Sequence, residues 1–247
     1  MDVPPGNGGC LMPMKDFRKD FKVFAPDDIG PETIIGGEAR HHLELVPEYF
    51  NDFKHLILPC RPETVEEFKK YASGRRIILE VGAGKGRFIS AIAAANPDAV
   101  CLGLETGLSL CGHSLDKAAR RGCENVFMGW GDARATIPLL LEENSVERAY
   151  LLFPDPWWKR KHAARRHGPV MAATIARVLK SGSFLVLKSD IEPYLEEMTS
   201  AFLSTGSYFL CSDSQCCAII DALPQTDREV GLCSTRMRVF TSVLVKG

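Results

Sequence analysis

Apolar and polar positions along the chain change rhythm near residue 60. Residues 1 to about 30 are rich in glycine, proline and charge and show little apolar periodicity, so they are expected to form a flexible arm. A short amphipathic run from Leu43 to Ile57 follows, with few cap signals. From Pro62 the pattern sharpens. Thr64 to Tyr71 can form a helix, and Arg76 to Val81 is a short apolar, β-branched run that ends in glycines, as a buried parallel strand does. The alternation then repeats. Helices are predicted at Phe88–Ala95, Leu108–Arg121 (stopped by Gly122), around Ile137–Glu142, at Val170–Leu179 (closed by Ser181-Gly182) and at Glu192–Phe202. Strands are predicted at Ala99–Glu105, Val126–Met128, Ala149–Phe153 and Phe184–Lys188. Two closing strands, near Tyr208–Cys211 and Val239–Val245, show no helix-length pattern between them and are expected to pair antiparallel.

This order predicts an α/β fold: a doubly wound, mostly parallel sheet of about seven strands with an antiparallel last strand. It divides the chain into an arm, residues 1–60, and one domain, residues 61–247. Composition adds limits rather than a function. With 45% hydrophobic and 25% charged residues over 247 positions, the chain is globular in type, and no uninterrupted apolar stretch approaches the roughly 18 residues of a membrane span. The N-terminal segment lacks the basic start and apolar core of a signal peptide, so a cytoplasmic location is expected. The nine cysteines are too sparse for a disulfide scaffold and include no Cys-x-x-Cys pair, so reduced thiols and no bound metal are expected. A net charge of −1 means that a nucleic-acid partner must be met by a local basic patch.

Ligands of doubly wound sheets bind outside the carboxyl ends of the strands, where the winding reverses. Polar groups collect at those ends here. They are Glu80 with Gly82, Gly84 and Gly86, then Glu105, then Asp132, then Asp155 between Pro154 and Pro156, then Asp190. The glycine spacing, Gly-x-Gly-x-Gly, fits neither a Walker loop nor the dinucleotide fingerprint. A run of carboxylates would repel a pyrophosphate but suits a cationic ligand bearing a ribose and an adenine, which describes S-adenosylmethionine. Glu105, 25 positions after Glu80, is the expected ribose ligand, and Asp132 is expected to accept from the adenine amino group.

The most specific segment is Leu151-Leu-Phe-Pro-Asp-Pro-Trp-Trp-Lys-Arg-Lys-His-Ala-Ala-Arg-Arg166. Together with the Glu80–Gly86 loop, Glu105, Gly131-Asp132-Ala133, Ser189-Asp190 and Thr226-Asp-Arg-Glu229, it resembles the bacterial tRNA guanine-N7 methyltransferases over residues 75 to 230. The resemblance implies a class I, Rossmann-like, S-adenosylmethionine-dependent enzyme that methylates N7 of guanine 46 in the tRNA variable loop by in-line displacement, acting as a monomer or homodimer. It implies cofactor contacts by Glu80, Glu105, Asp132 and Asp155, with Asp155 also catalytic. Lys159, Asp190, Thr226, Asp227, Arg228 and Glu229 would contact the guanine, and Arg160, Lys161, Arg165 and Arg166 the RNA. The first 60 residues lack the basic arm of that family, and a second threonine, Thr235, offers another register for the C-terminal segment.

The chemistry can be argued without the family. Guanine N7 carries an unprotonated in-plane lone pair, so no strong base is needed; the enzyme has to align the reactants and stabilise the positive charge that arrives on the purine. A carboxylate held in a restricted loop, as Asp155 is, suits that role. Trp157 and Trp158 are candidates for stacking on a base. Three other readings stay open: a methyltransferase of another RNA, one of a small molecule, and a non-catalytic RNA-binding protein with this fold.

Overall fold

The computed structural model describes residues 62–156, 167–233 and 237–247. The first 61 residues, and with them the arm, lie outside the described residues. The domain begins with α1 (Pro62–Ala72), then alternates β1 (Arg76–Val81), α2 (Arg87–Ala95), β2 (Ala99–Glu105), α3 (Leu108–Arg120), β3 (Val126–Trp130), α4 (Ala133–Leu140), β4 (Val146–Leu152), α5 (Pro169–Val178), β5 (Leu179–Ser189) and α6 (Glu192–Leu203). It closes with β6 (Tyr208–Leu210), α7 (Asp213–Asp221), α8 (Asp227–Cys233) and β7 (Phe240–Lys246). The strands form one seven-stranded sheet in the order β3-β2-β1-β4-β5-β7-β6. β1 to β5 are parallel, and β7 runs antiparallel to both of its neighbours. The winding therefore reverses between β1 and β4, which fixes where a ligand cleft should open.

Strand alternation divides the core into two layers. Ile77, Leu79 and Val81 of β1, with Val100, Leu102 and Leu104 of β2, face α1, α4, α5 and α6. Ile78 of β1, with Cys101 of β2 and Val126 and Met128 of β3, faces α2 and α3. Both faces of the parallel strands are covered, which is why they read as continuous apolar runs. Burying each such side chain contributes roughly 1.5–3 kcal/mol. The same period of two puts Glu80 on the α2 face, opposite Val81.

Three expectations need correction. The interval between the two closing strands, expected to hold no helix, contains α7 and α8. Each is short, and α7 is held by partly buried Cys216, Ile219 and Ile220 against the α2/α3 layer rather than by a strong period of its own. Ser181-Gly182 does not close α5. The helix ends at Val178, and β5 begins at once; its pairing with β4 jumps from Leu179 opposite Val146 to Phe184 opposite Arg148, with Gly182 at φ 76° inside the excursion. Helix α4 starts at Ala133 rather than near Ile137 because Asp132 caps it, its side chain accepting from the Arg134 amide.

Candidate active site

At the reversal point the loops after β1, β2, β3 and β4 surround a cleft of about 320 Å³, within the usual range of small-molecule sites, roughly 300–1,000 Å³. Its floor is the β1 loop. Gly82 (φ 79°) and Gly84 (φ 54°) are left-handed, and nothing lies within 4 Å of where a Cβ would stand on either. They leave open space on the ligand side, where the backbone itself can be touched. Gly86 serves packing instead. It caps α2 at φ 74°, and a Cβ there would meet the Cα of Ser114 at 2.6 Å. The glycine lets α2 and α3 approach, while the Ser114 hydroxyl donates to the Gly84 carbonyl at 2.9 Å.

Glu105, at the end of β2, joins two loops. Its Oε2 accepts from the Gly84 amide at 2.9 Å and its Oε1 from the Gly107 amide at 3.0 Å. The carboxylate is half-buried on the cleft wall; Oε1 also accepts from the Thr106 hydroxyl at 3.3 Å, and Oε2 keeps capacity for a further donor. Glu80 stands beneath the loop, only 3% exposed, where alternation along β1 directs it. Burial first, then the charges of Glu105 and Asp227, push its carboxyl from 4.5 up to about 8, against a hydrogen bond from the Ile89 backbone. Its Oε2 has no partner among the described residues. A neutral carboxylic acid anchoring the first turn of α2 is therefore the form present at pH 7.

Asp132 lines the cleft at the end of β3, but its carboxylate is committed. Oδ1 accepts from the amide and Nε of Arg134 at 2.8 and 2.9 Å, and Oδ2 from Nη2 at 2.7 Å. Both side chains are 6% exposed. Burial raises the carboxyl, against the hydrogen bond from the Arg134 amide, and lowers the guanidinium. His167 closes the same wall, its imidazole pushed down to about 3 by burial and then by the charge of Arg134. Neither Arg134 nor His167 stands out as a site residue in the sequence. The first falls before the predicted start of its helix, and the second is obscured by the basic run that it follows.

Across the cleft stands Asp155, exposed at the rim. Its loop is constrained. Phe153 takes φ 52° immediately before Pro154, a rare conformation for an aromatic residue, and its amide donates to the Lys188 carbonyl at 2.8 Å. The hydroxyl of the buried Tyr194 donates to the Asp155 carbonyl at 3.3 Å. Strain of this sort, held by surrounding bonds, concentrates at functional loops.

Thr226 to Glu229 forms the entry to α8 as a capping box. The Glu229 amide donates to Thr226 Oγ1 at 3.0 Å, and Glu229 Oε2 accepts from the Thr226 amide at 2.7 Å. The box is fastened to the sheet and to the glycine loop's helix. Lys188 Nζ donates to Glu229 Oε1 at 2.6 Å, Arg228 pairs with Asp190, and Asp227 receives Arg87 at 2.8 Å and Lys117 at 3.1 Å. Asp190 and Thr226–Glu229 are thus brought together beyond the Asp155 loop. Of the described candidates, Gly82, Gly84, Glu105, Asp132 and Asp155 line the cleft, whereas Glu80 and Gly86 support it from behind. Lys159, Arg160, Lys161, Arg165, Arg166, Trp157, Trp158 and Thr235 lie outside the described residues. Among the described residues there is no group of three metal-ligating side chains and no helix long and apolar enough to cross a membrane.

A family model described as "Putative methyltransferase" matches residues 74–226. A tRNA (guanine-N(7)-)-methyltransferase of Synechococcus sp. (strain JA-2-3B'a(2-13)) is 34% identical over 137 residues, which cover 55% of this chain and 57% of that protein. The chain thus spans a little over half the length of that relative. Another protein of the same description, from Streptococcus thermophilus (strain CNRZ 1066), is 31% identical over 169 residues, 68% of this chain and 76% of the relative. In fold, the chain resembles the crystal structure of the 16S rRNA methyltransferase KamB, with a TM-score of 0.52 at 18% identity over 74% of this chain and 94% of that one.

Proposed function

The chain belongs to the methyltransferase family whose model matches residues 74–226 and to that of its tRNA (guanine-N(7)-)-methyltransferase relatives, and from that premise we propose that it methylates tRNA at N7 of guanine 46 with S-adenosylmethionine as donor. The observation that carries this reading is the cleft at the β1/β4 reversal, where open-faced glycines and Glu105 lie on one side and Asp155 on the other. The residues present suit the donor: the space a Cβ would fill at Gly82 and Gly84 admits a ligand against the backbone, and Glu105 and Asp155 make the walls acidic, the charge of Asp132 being offset by Arg134. Oε2 of Glu105 retains a lone pair for a ribose hydroxyl, and Glu80 holds the loop in place. When bound, S-adenosylmethionine supplies a methyl group already activated on a sulfonium.

The chain's own part is positional and electrostatic. N7 has no proton to lose, so no general base is required. Asp155 presents a fixed negative charge where positive charge develops on the purine, on a loop held by Phe153, Pro154 and Tyr194. Asp190 and the capping box of α8 form the surface beyond it, on which the guanine edge would be read. Lys159 is assigned to the guanine, and Arg160, Lys161, Arg165 and Arg166 to RNA phosphates, from the sequence, where they fall between Asp155 and His167, two residues that line the cleft. Single-turnover methyl transfer to unmodified tRNA tests the reading. Transfer is expected with the parent protein and at least about a hundredfold slower with Asp155→Ala, the scale of losing one fixed electrostatic group; equal rates would reject the role of Asp155, and no transfer by either would reject the function.

A further inference from the structure

Helix α8, whose first turn belongs to the surface proposed to read the guanine, is too small to be placed by packing: it has seven residues, of which Leu232 is buried. Charge sets its position instead. On one side Glu229 is paired with Lys188 of β5. On the other the Asp227 carboxylate accepts from Arg87 Nε at 2.8 Å and from Lys117 Nζ at 3.1 Å. Two cations on one carboxylate form a network, which holds where an isolated surface pair contributes little. Against the effect of burial, those two partners keep the Asp227 carboxyl below the ordinary aspartate range. Both cations belong to the helices that carry the glycine loop. Arg87 opens α2 directly after Gly86, and Lys117 lies three residues along α3 from Ser114, whose hydroxyl donates to the Gly84 carbonyl.

We infer that Asp227 is a positioning residue: rather than meeting the guanine, its carboxylate fixes α8, and with it the guanine surface, against the helices of the glycine loop through Arg87 and Lys117. The inference rests on the proposed methyl transfer to guanine. In-line displacement tolerates little error, a misplacement of about 1 Å costing on the order of a hundredfold in rate. One carboxylate thus sets the acceptor's surface relative to the floor on which the donor lies.

Single-turnover methyl transfer by the full chain at saturating tRNA and S-adenosylmethionine tests this, with Asp227→Asn, the double variant Arg87→Gln/Lys117→Gln, and all three substitutions together. Each of the first two is expected to be slower than the parent protein by about tenfold or more, and the triple variant no slower than either, because all of them break the same tie. Affinity for S-adenosylhomocysteine in calorimetry is expected to stay within about twofold of the parent value. A parent-like rate in Arg87→Gln/Lys117→Gln, a triple variant slowed by the product of the two separate losses, or cofactor affinity falling in step with the rate would overturn the inference. Hydrogen exchange of the free chain reads the tie without substrate: the amides of α8 are expected to exchange about tenfold faster in both variants while those of β1 and β2 keep the parent rates, and unchanged exchange in α8 would overturn it. Should Asp227→Asn fail to fold, Arg87→Gln/Lys117→Gln decides by the same readings. Absence of transfer by the parent protein would instead reject the function on which the inference rests, and hydrogen exchange would then decide the tie itself.

Discussion

Replacing Glu80 by glutamine should change how stability depends on pH rather than abolish the fold. In the native protein the carboxyl is raised from 4.5 to about 8, chiefly because it is buried beneath the glycine loop. A group whose folded value is raised contributes stability that is fully present below its unfolded value and is lost as pH rises through the folded one. The window is therefore pH 4.5 to about 8. At about 1.4 kcal/mol per pH unit, ionising Glu80 in the folded state costs on the order of 5 kcal/mol, with relaxation of the loop making this a ceiling. That is a large share of the roughly 5–15 kcal/mol by which a domain is stable. Glutamine has the same shape and can still accept from the Ile89 amide, but it does not ionise. Urea unfolding followed by circular dichroism at pH 5, 7 and 9, without cofactor, should show the two proteins within about 1 kcal/mol at pH 5 and Glu80→Gln more stable by several kcal/mol at pH 9. Parallel curves across that range would show that Glu80 does not change its protonation there and would refute the buried neutral acid.

Other substitutions separate packing from binding. Gly86→Ala combines positive φ with a Cβ at 2.6 Å from the Ser114 backbone and should cost about 2–4 kcal/mol in thermal or urea unfolding. Gly84→Ala meets nothing within 4 Å, so it should cost only the left-handed strain of about 1–2 kcal/mol while weakening cofactor binding in calorimetry far more than Gly86→Ala does at equal folded fraction. Glu105→Ala removes the acceptor of the Gly84 and Gly107 amides; cofactor affinity should fall while tRNA binding in a filter assay survives, and charge reversal of Arg165 and Arg166 to Glu should do the opposite. Lys188→Met leaves the Glu229 carboxylate, 12% exposed, without its cation and should cost up to about 3 kcal/mol, which a double variant with Glu229→Gln should largely recover.

The parallel part of the fold is legible in the sequence because its signals are local and strong. Arg76–Val81 and Ala99–Glu105 are bounded by glycines and an acidic end, and for both strands the predicted and observed bounds coincide. The interval after β6 is not legible in this way. Its helices are stabilised by tertiary contacts, and the Thr226-x-x-Glu229 spacing, which the resemblance casts as a ligand contact, is a helix-start signal in its own right. At the site, the identity of the strand-end residues is legible, but their pairing is not. Nothing in the spacing of Asp132 and Arg134 says that the arginine folds back onto the acid that caps its own helix, and nothing adjacent to His167 reveals the cleft it borders. Glu80 illustrates the intermediate case: the alternation that predicts β1 also directs its side chain to the α2 layer, a consequence available from the sequence once the strand is placed.

We propose that the acidic cleft at the strand reversal promotes methyl transfer to one purine nitrogen of tRNA. Incubating the protein with unmodified tRNA and isotopically labelled S-adenosylmethionine, followed by nuclease digestion and mass mapping of the fragments, tests it most directly. One labelled methyl is expected, on N7 of guanine 46, and is lost with Asp155→Ala. Label on another base or another atom, or none on any tRNA while the cofactor binds in the cleft, would contradict it.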